Sequence, residues 1–193
     1  MNLLTNEILD QTKLFWSIKT HAIYHNAISL VISQKVSFKV GRSIRTKLFS
    51  LIGLSEFTKD NIKQLTESEM LNVGLDKNKI ILINAITKLN DSDNLIFINE
   101  ISKLKGIGIW TIKALKILNL DDSDIFLAED LWIRKRLSEL MNHKTTLTIQ
   151  ECNNLSNTIK INKTHISKFL WRIKPEGIIA LKNKQILNIN HFL

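Results

Sequence analysis

Leu104-Lys105-Gly106-Ile107-Gly108-Ile109-Trp110-Thr111-Ile112-Lys113-Ala114 joins two helical patterns through a Gly-Ile-Gly turn. Glycines at such a turn permit positive φ and let the backbone come close to a partner. The N–H groups that follow Gly106, those of Gly108, Ile109 and Thr111 among them, open the next helix. They form a nest in which the helix dipole also favours negative charge. Lys103, Lys105 and Lys113 flank it. An ordinary αα-hairpin shows the same pattern for architectural reasons alone, and a lone Gly-x-Gly specifies little. What the stretch offers is a seat for one backbone phosphate of a nucleic acid, which positions a duplex without reading a base.

Outward from the turn, the apolar period is helical almost throughout. Ile8, Leu9, Leu14, Phe15 and Ile18 suit a first amphipathic helix, and the denser run Ala27, Ile28, Leu30, Val31, Ile32 suits a central buried one. Val36, Val40, Ile44, Leu48 and Leu51 recur at three- and four-residue steps, with Ser37 placed to cap that helix and Gly53 to end it. Thr66-Glu67-Ser68-Glu69 and Thr148-Ile149-Gln150-Glu151 are capping-box patterns. Gly74 stands where a C′ glycine belongs, and Asp76 can cap a helix carrying Ile80, Ile83, Ile86 and Leu89. A short helix is expected from about Leu95 to Leu104, and the last clear one carries Ile166, Phe169, Leu170 and Ile173 and stops before Pro175. Residues 176–193 carry no decisive pattern. No convincing alternating strand, internal repeat or low-complexity linker occurs. The expected fold class is all-α, with about nine short helices.

The chain has 193 residues, 44% of them hydrophobic, enough for a real core without staples. The single Cys152 excludes an internal disulfide framework and a four-thiolate metal or iron–sulfur site within one chain. No apolar run approaches the roughly 18 residues of a membrane span, and Met1 to Glu7 has no signal-peptide character. The expectation is a soluble cytoplasmic monomer without a membrane partner. A net charge of +9 biases the partner toward nucleic acid, although a lysine-rich solvated surface has the same composition.

Downstream of the hairpin stands Asp124-Ile125-Phe126-Leu127-Ala128-Glu129-Asp130-Leu131-Trp132-Ile133-Arg134. Asp130 immediately precedes a helical pattern, Leu131 to Met141. That places it at or near a helix N-terminus, where the dipole favours negative charge and where an aspartate commonly does no more than cap. Taken together, the hairpin and the following aspartate resemble the helix-hairpin-helix DNA glycosylase superfamily. In that superfamily a catalytic Asp follows the hairpin after a short Phe-containing segment. The closest resemblance is to DNA-3-methyladenine glycosylase II. Ile32-Ser33-Gln34-Lys35-Val36-Ser37 looks like that family's Gln-containing segment, and Leu71-Asn72-Val73-Gly74-Leu75, followed by Lys77 and Lys79, looks like its Leu-x-x-x-Gly-Leu step. The likeness covers about residues 20 to 175.

The resemblance implies excision of an alkylated base such as 3-methyladenine from double-stranded DNA in base excision repair. It implies Asp130 as the essential carboxylate, with Glu129 at the surface or behind it. Bifunctional relatives carry a Schiff-base Lys at the hairpin position occupied here by Trp110, so a monofunctional enzyme is implied. Trp110 and, less strongly, Trp171 are expected in the base pocket. Gly106, Gly108, Ile109, Thr111, Lys105, Gln34 and Lys35 are expected to contact DNA. The residue after the family's Gln is often a wedge for the space left by the flipped base. Lys35 departs from the usual apolar or amide side chain, and holding a phosphate is the other reading. No cofactor and no metal are implied, apart from a monovalent cation at the hairpin.

The architecture expected is two helical lobes, residues 26–118 and residues 1–25 plus 119–193, with a DNA-binding cleft between them. The hairpin would lie beside the cleft and Asp130 at its floor. Too few residues precede the first matching helix for the N-terminal β domain of some relatives. Two other readings stand beside this one: an oxidised-base glycosylase of the same fold, and a non-catalytic binding module that uses the hairpin alone. His21 and His25 are spaced to share a helix face, but no third metal ligand accompanies them. Asp121, Asp122 and Asp124 form an acidic stretch too poor in ligands for a calcium loop. Arg134, Lys135 and Arg136 are either phosphate contacts or solvated. Trp16 and Trp132 are read as packing residues or pocket walls, and Cys152 is too isolated to be a nucleophile.

Overall fold

Ser37 accepts the Val40 N–H on its hydroxyl at 3.3 Å in the computed structural model, and Gly53 turns left-handed with φ of 67°. Between them runs the helix that the sequence predicts there. The structure describes residues 22–120, 123–158 and 162–182. Trp16, His21, Asp121, Asp122, the first expected helix and residues 183–193 lie outside them.

The described residues form eleven helices and no strand. Seven belong to a first unit: α1 (Ile23–Ser33), α2 (Phe38–Ile52), α3 (Lys59–Lys63), α4 (Glu67–Asn72), α5 (Lys77–Ile86), α6 (Asn94–Ser102) and α7 (Ile109–Asn119). Four belong to a second: α8 (Leu131–Leu140), α9 (Ile149–Thr158), α10 (Lys163–Arg172) and α11 (Pro175–Lys182). The sequence pattern suggests fewer because α3 is barely one turn and α11 follows a proline. Pro175 starts a helix rather than only stopping one: its missing N–H costs nothing at the first helical position, and its fixed φ suits it.

The first unit is built around α1, which packs against α2, α5 and α7. Ala27, Ile28, Val31 and Ile32 are wholly buried, as a run without a polar face requires. Two polar side chains sealed into this core find partners, while Ser29 Oγ on the same helix is buried without one among the described residues. The Tyr24 hydroxyl lies 2.8 Å from Thr87 Oγ1, and the Asn26 amide donates to Asn119 Oδ1 at 2.9 Å. Burial pushes the Tyr24 phenol up to about 12. His25 is a core residue. Its ring stacks against Phe57 and Phe49, and its Nδ1 accepts the Phe57 N–H at 3.0 Å. Among the described residues no cluster of His, Cys, Asp and Glu could hold a metal ion, and no helix is long and apolar enough to cross a membrane.

Both capping boxes form. Thr66 N donates to Glu69 Oε2 at 2.8 Å while Glu69 N donates to Thr66 Oγ1 at 3.2 Å, and Thr148 and Glu151 repeat the exchange at 2.7 and 3.2 Å. The hydrogen bonds from the threonine backbone and hydroxyl hold both carboxyls below their ordinary range. A carboxyl depressed in the folded state stabilises the fold above its unfolded pKa, and that stabilisation is lost as pH falls through the folded value. Thermal melts from neutral to acidic pH should therefore show a loss of stability below the usual carboxylate range, and Glu69→Gln with Glu151→Gln should flatten it. An unchanged acid limb in the double variant would count against the assignment.

Candidate active site and nucleic-acid interface

α6 and α7 are the arms of the hairpin, joined by Lys103 to Gly108. Gly106 has φ of 100°, a backbone conformation that side chains rarely adopt, and a Cβ there would meet Leu82 Cδ2 at 3.4 Å. Gly108 differs. Its φ of −101° and ψ of 175° suit any residue, and a Cβ there would meet nothing within 4 Å. Nothing among the described residues requires glycine at 108. A glycine N-cap brings no side-chain acceptor to the leading N–H groups of α7 and leaves the space over them open. Ile109, just beyond it, is exposed. Lys105 is exposed beside the turn, and Lys103 pairs with Glu100 at 2.6 Å. Trp110, the second residue of α7, is half-buried.

Gln34 is brought to the hairpin. Its Nε2 donates to Gly106 O at 3.2 Å and to Thr111 Oγ1 at 3.0 Å. Thr111 is buried, and its hydroxyl serves this bond. Lys35 follows with φ of 55° and an exposed side chain. A left-handed conformation costs a residue with a Cβ roughly 1–2 kcal/mol. No sequence signal marks this turn, because lysine is not a residue that favours positive φ.

Asp130 is the N-cap of α8. Its Oδ1 accepts the N–H groups of Trp132 at 2.8 Å and Ile133 at 3.0 Å. The approach to it, residues 123–130, has no regular structure but is strapped to α10. Ile125 N donates to Thr164 Oγ1 at 3.0 Å, Leu127 N donates to Ser167 Oγ at 3.0 Å, and Ser167 Oγ donates back to Ile125 O at 3.1 Å. Thr164 and Ser167 are buried, and Phe126, Leu127 and Ala128 are buried over α10's unit. The hydroxyls of one helix thus stand in for the partner strand that an extended segment otherwise needs. They fix where the chain ends its run and places Asp130.

Other predicted residues sort by contact. Trp171 is half-buried on α10. Trp132 is 48% exposed, with the Arg136 guanidinium 4.1 Å from its ring centroid. Arg136 is buried and pairs with Glu139 at 2.8 Å, and Arg134 Nη1 donates to the Leu147 carbonyl at 3.0 Å. Arg136 is thus taken up by its own helix, which corrects the reading of it as a phosphate contact or a solvated charge, while half-buried Arg134 ties α8 to the segment before α9. Lys135 is exposed. Burial pushes the Cys152 thiol up to about 11, away from nucleophilic use.

Removing the Ser167 hydroxyl would leave the Leu127 N–H and the Ile125 carbonyl without these partners. A buried group left unsatisfied costs about 1–3 kcal/mol. Ser167→Ala should lower the denaturant midpoint accordingly and increase hydrogen exchange at Leu127. Wild-type exchange there would show that the strap does not hold the segment.

No family model matches the chain. It is 28% identical over 173 residues to the DNA-3-methyladenine glycosylase of Saccharomyces cerevisiae, an alignment of 78% of this chain with 57% of the yeast protein. It is 27% identical over 167 residues to the alkylbase DNA glycosidase-like protein mag2 of Schizosaccharomyces pombe, covering 79% of this chain and 78% of that one. Among solved structures, the Schizosaccharomyces pombe 3-methyladenine DNA glycosylase in complex with abasic DNA superposes with a TM-score of 0.70 at 23% identity, over 88% of this chain and 91% of that one. The chain therefore has the all-helical fold of the helix-hairpin-helix DNA glycosylases and is similar in sequence to their 3-methyladenine branch.

Proposed function

We propose that this protein is a monofunctional DNA glycosylase that hydrolyses the N-glycosidic bond of alkylated bases such as 3-methyladenine in double-stranded DNA. The observation that carries the reading is Asp130, a carboxylate fixed by two backbone N–H groups at a helix N-terminus, in a chain with the glycosylase fold. Cleaving the bond from sugar to base develops positive charge on the sugar. A fixed anion facing that charge lowers the barrier without reorganising, and it can align or deprotonate the attacking water. A base alkylated on a ring nitrogen already leaves readily, so no strong general acid is needed.

Trp110 supports both the substrate class and the single activity. It offers no amine for a Schiff base, and a half-buried indole attracts a cationic alkylpurine by stacking and cation–π contact. The target base must leave the stack to be reached. The open N-terminus of α7 at Gly108, with Lys105 beside it, suits one backbone phosphate. A monovalent cation at the hairpin would share its carbonyls with donors already present, Ile107 N on Leu104 O and Gln34 Nε2 on Gly106 O. No step of the reaction is routed through such an ion.

Asp130→Asn separates capping from chemistry. Asparagine caps a helix about as well as aspartate, so the melting temperature should stay close to that of the wild type. Release of 3-methyladenine or 7-methylguanine from methylated duplex under single-turnover conditions should fall by about 10²- to 10⁴-fold, with binding to an abasic duplex retained. Salt-sensitive binding with no release by the wild type would favour the non-catalytic module, and release of 8-oxoguanine instead would favour the oxidised-base enzyme.

Gly108→Ser tests the phosphate seat. Serine is a better N-cap than glycine by a few tenths of a kcal/mol, so stability should hold or rise. Its side chain would occupy the open site, and affinity for abasic duplex should drop about tenfold, the equivalent of one lost charge-assisted contact of roughly 1.5 kcal/mol. Unchanged affinity in a stable Gly108→Ser protein would remove the hairpin from the interface.

A further inference from the structure

Three consecutive residues at the end of α1 are held by three different elements. The Ile32 carbonyl accepts Lys79 Nζ from α5 at 2.9 Å, Ser33 Oγ accepts Arg45 Nη1 from α2 at 2.8 Å, and the Gln34 amide donates to the hairpin at Gly106 and Thr111. The next residue is Lys35, exposed and left-handed. Strained non-glycine residues persist where their surroundings over-determine them, and they concentrate at functional sites. Here the surroundings are explicit, and the Gln34 bond to Gly106 makes the strained lysine a neighbour of the phosphate-seating turn.

Lys79 is the least expected member. A lysine only 8% exposed, held by a backbone carbonyl, is an expensive way to satisfy one oxygen. The desolvation that burial imposes also lowers its pKa from the ordinary lysine value. Its ammonium sits at the negative end of the α1 dipole. There it takes up the Ile32 carbonyl, so α1 can stop at Ser33 and Gln34 can leave in an extended conformation, with φ of −59° and ψ of 131°. An unbraced α1 would be free to wind on through Lys35 in the right-handed conformation that lysine prefers.

We propose that Lys79 is a positioning residue that holds the Lys35 turn in its left-handed form, so that the Lys35 ammonium meets a second DNA phosphate beside the one seated on the hairpin. This rests on the glycosylase reading above. Lys79 itself touches no DNA; it acts through Lys35.

The test is a double-mutant cycle of Lys35→Ala and Lys79→Met, read as the salt dependence of binding to a duplex carrying a tetrahydrofuran abasic-site analogue. Loss of one phosphate contact lowers the slope of log K against log [salt] by about 0.9. Lys35→Ala should show that loss with affinity about three- to tenfold weaker, Lys79→Met should show the same, and the double variant should be no worse than either. Lys79→Arg, which keeps a donor for the Ile32 carbonyl, should recover most of the slope. A purely structural lysine would change the melting temperature but leave the slope of the folded protein alone. A wild-type slope in Lys79→Met or in Lys35→Ala overturns the proposal. So does a double variant that loses two contacts, since Lys79 would then bind DNA independently. Should Lys79→Met fold poorly, Gln34→Leu removes the brace from the other side and is expected to lose the same single contact; retention of the full slope there overturns the proposal equally. Release of methylated bases by the wild type is measured in parallel. If there is none, the glycosylase reading falls first; if there is release and the cycle is additive, only the positioning role falls.

Discussion

The N–H groups that open each helix must find acceptors, and this one constraint organises the chain. Ser37, Thr58, Thr66, Asp76, Asp93, Asp130 and Asn162 each turn a side-chain oxygen onto the N–H groups of the helix that follows. Helices this short are marginal on their own, so their ends are fixed locally and the packing around α1 does the rest. α7 breaks the rule. Its cap is a glycine in an ordinary extended conformation with open space over it. α1, which follows Ala22, also has no side-chain cap bond, but at Gly108 there is not even a Cβ over the leading donors, which leaves them to something outside the described residues. An anion is what they suit.

Asp130 obeys the rule and is also the residue assigned the chemistry. The two roles do not conflict. The two N–H bonds at Oδ1 hold the side chain in one orientation, which is what an electrostatic catalyst needs and what a loop carboxylate lacks. The cap is thus the support for the site. The strap from Thr164 and Ser167 extends that support backwards along the chain.

Much of this was legible in the sequence because it is local. Ser37 with Gly53, Thr66 with Glu69, Gly74, Asp76, and Thr148 with Glu151 are signals spanning a few residues, and each marks a helix end in the structure. The hairpin was legible for the same reason. Three things were not. The strap joins residues about forty apart, and serines and threonines inside a helix look alike whether or not they hold a distant segment. Lys79 sat in a recognisable Gly-Leu step, yet its burial against Ile32 is a tertiary fact that no helical period encodes. The left-handed Lys35 was hidden because its conformation is imposed by neighbours and contradicts its own preference. Arg136 was read as a phosphate contact or a solvated charge for a related reason: a basic run gives no sign that Trp132 and Glu139 take up one of its members.

Three departures from local rules stand close to the hairpin. Gly108 forgoes a cap, Lys35 takes positive φ, and Lys79 gives up hydration for a carbonyl. Gln34 links the Lys35 turn to the hairpin, with one end leading into Lys35 and the other on Gly106 and Thr111. Each departure lowers stability, and each has a conventional alternative: serine at 108, glycine at 35, a leucine at 79. Where a chain breaks several rules at one place, the cost falls where function is expected to collect. On the reading proposed above, the hairpin and the Lys35 turn form one device, held in shape before the partner arrives, so that little ordering remains to be done when a duplex binds.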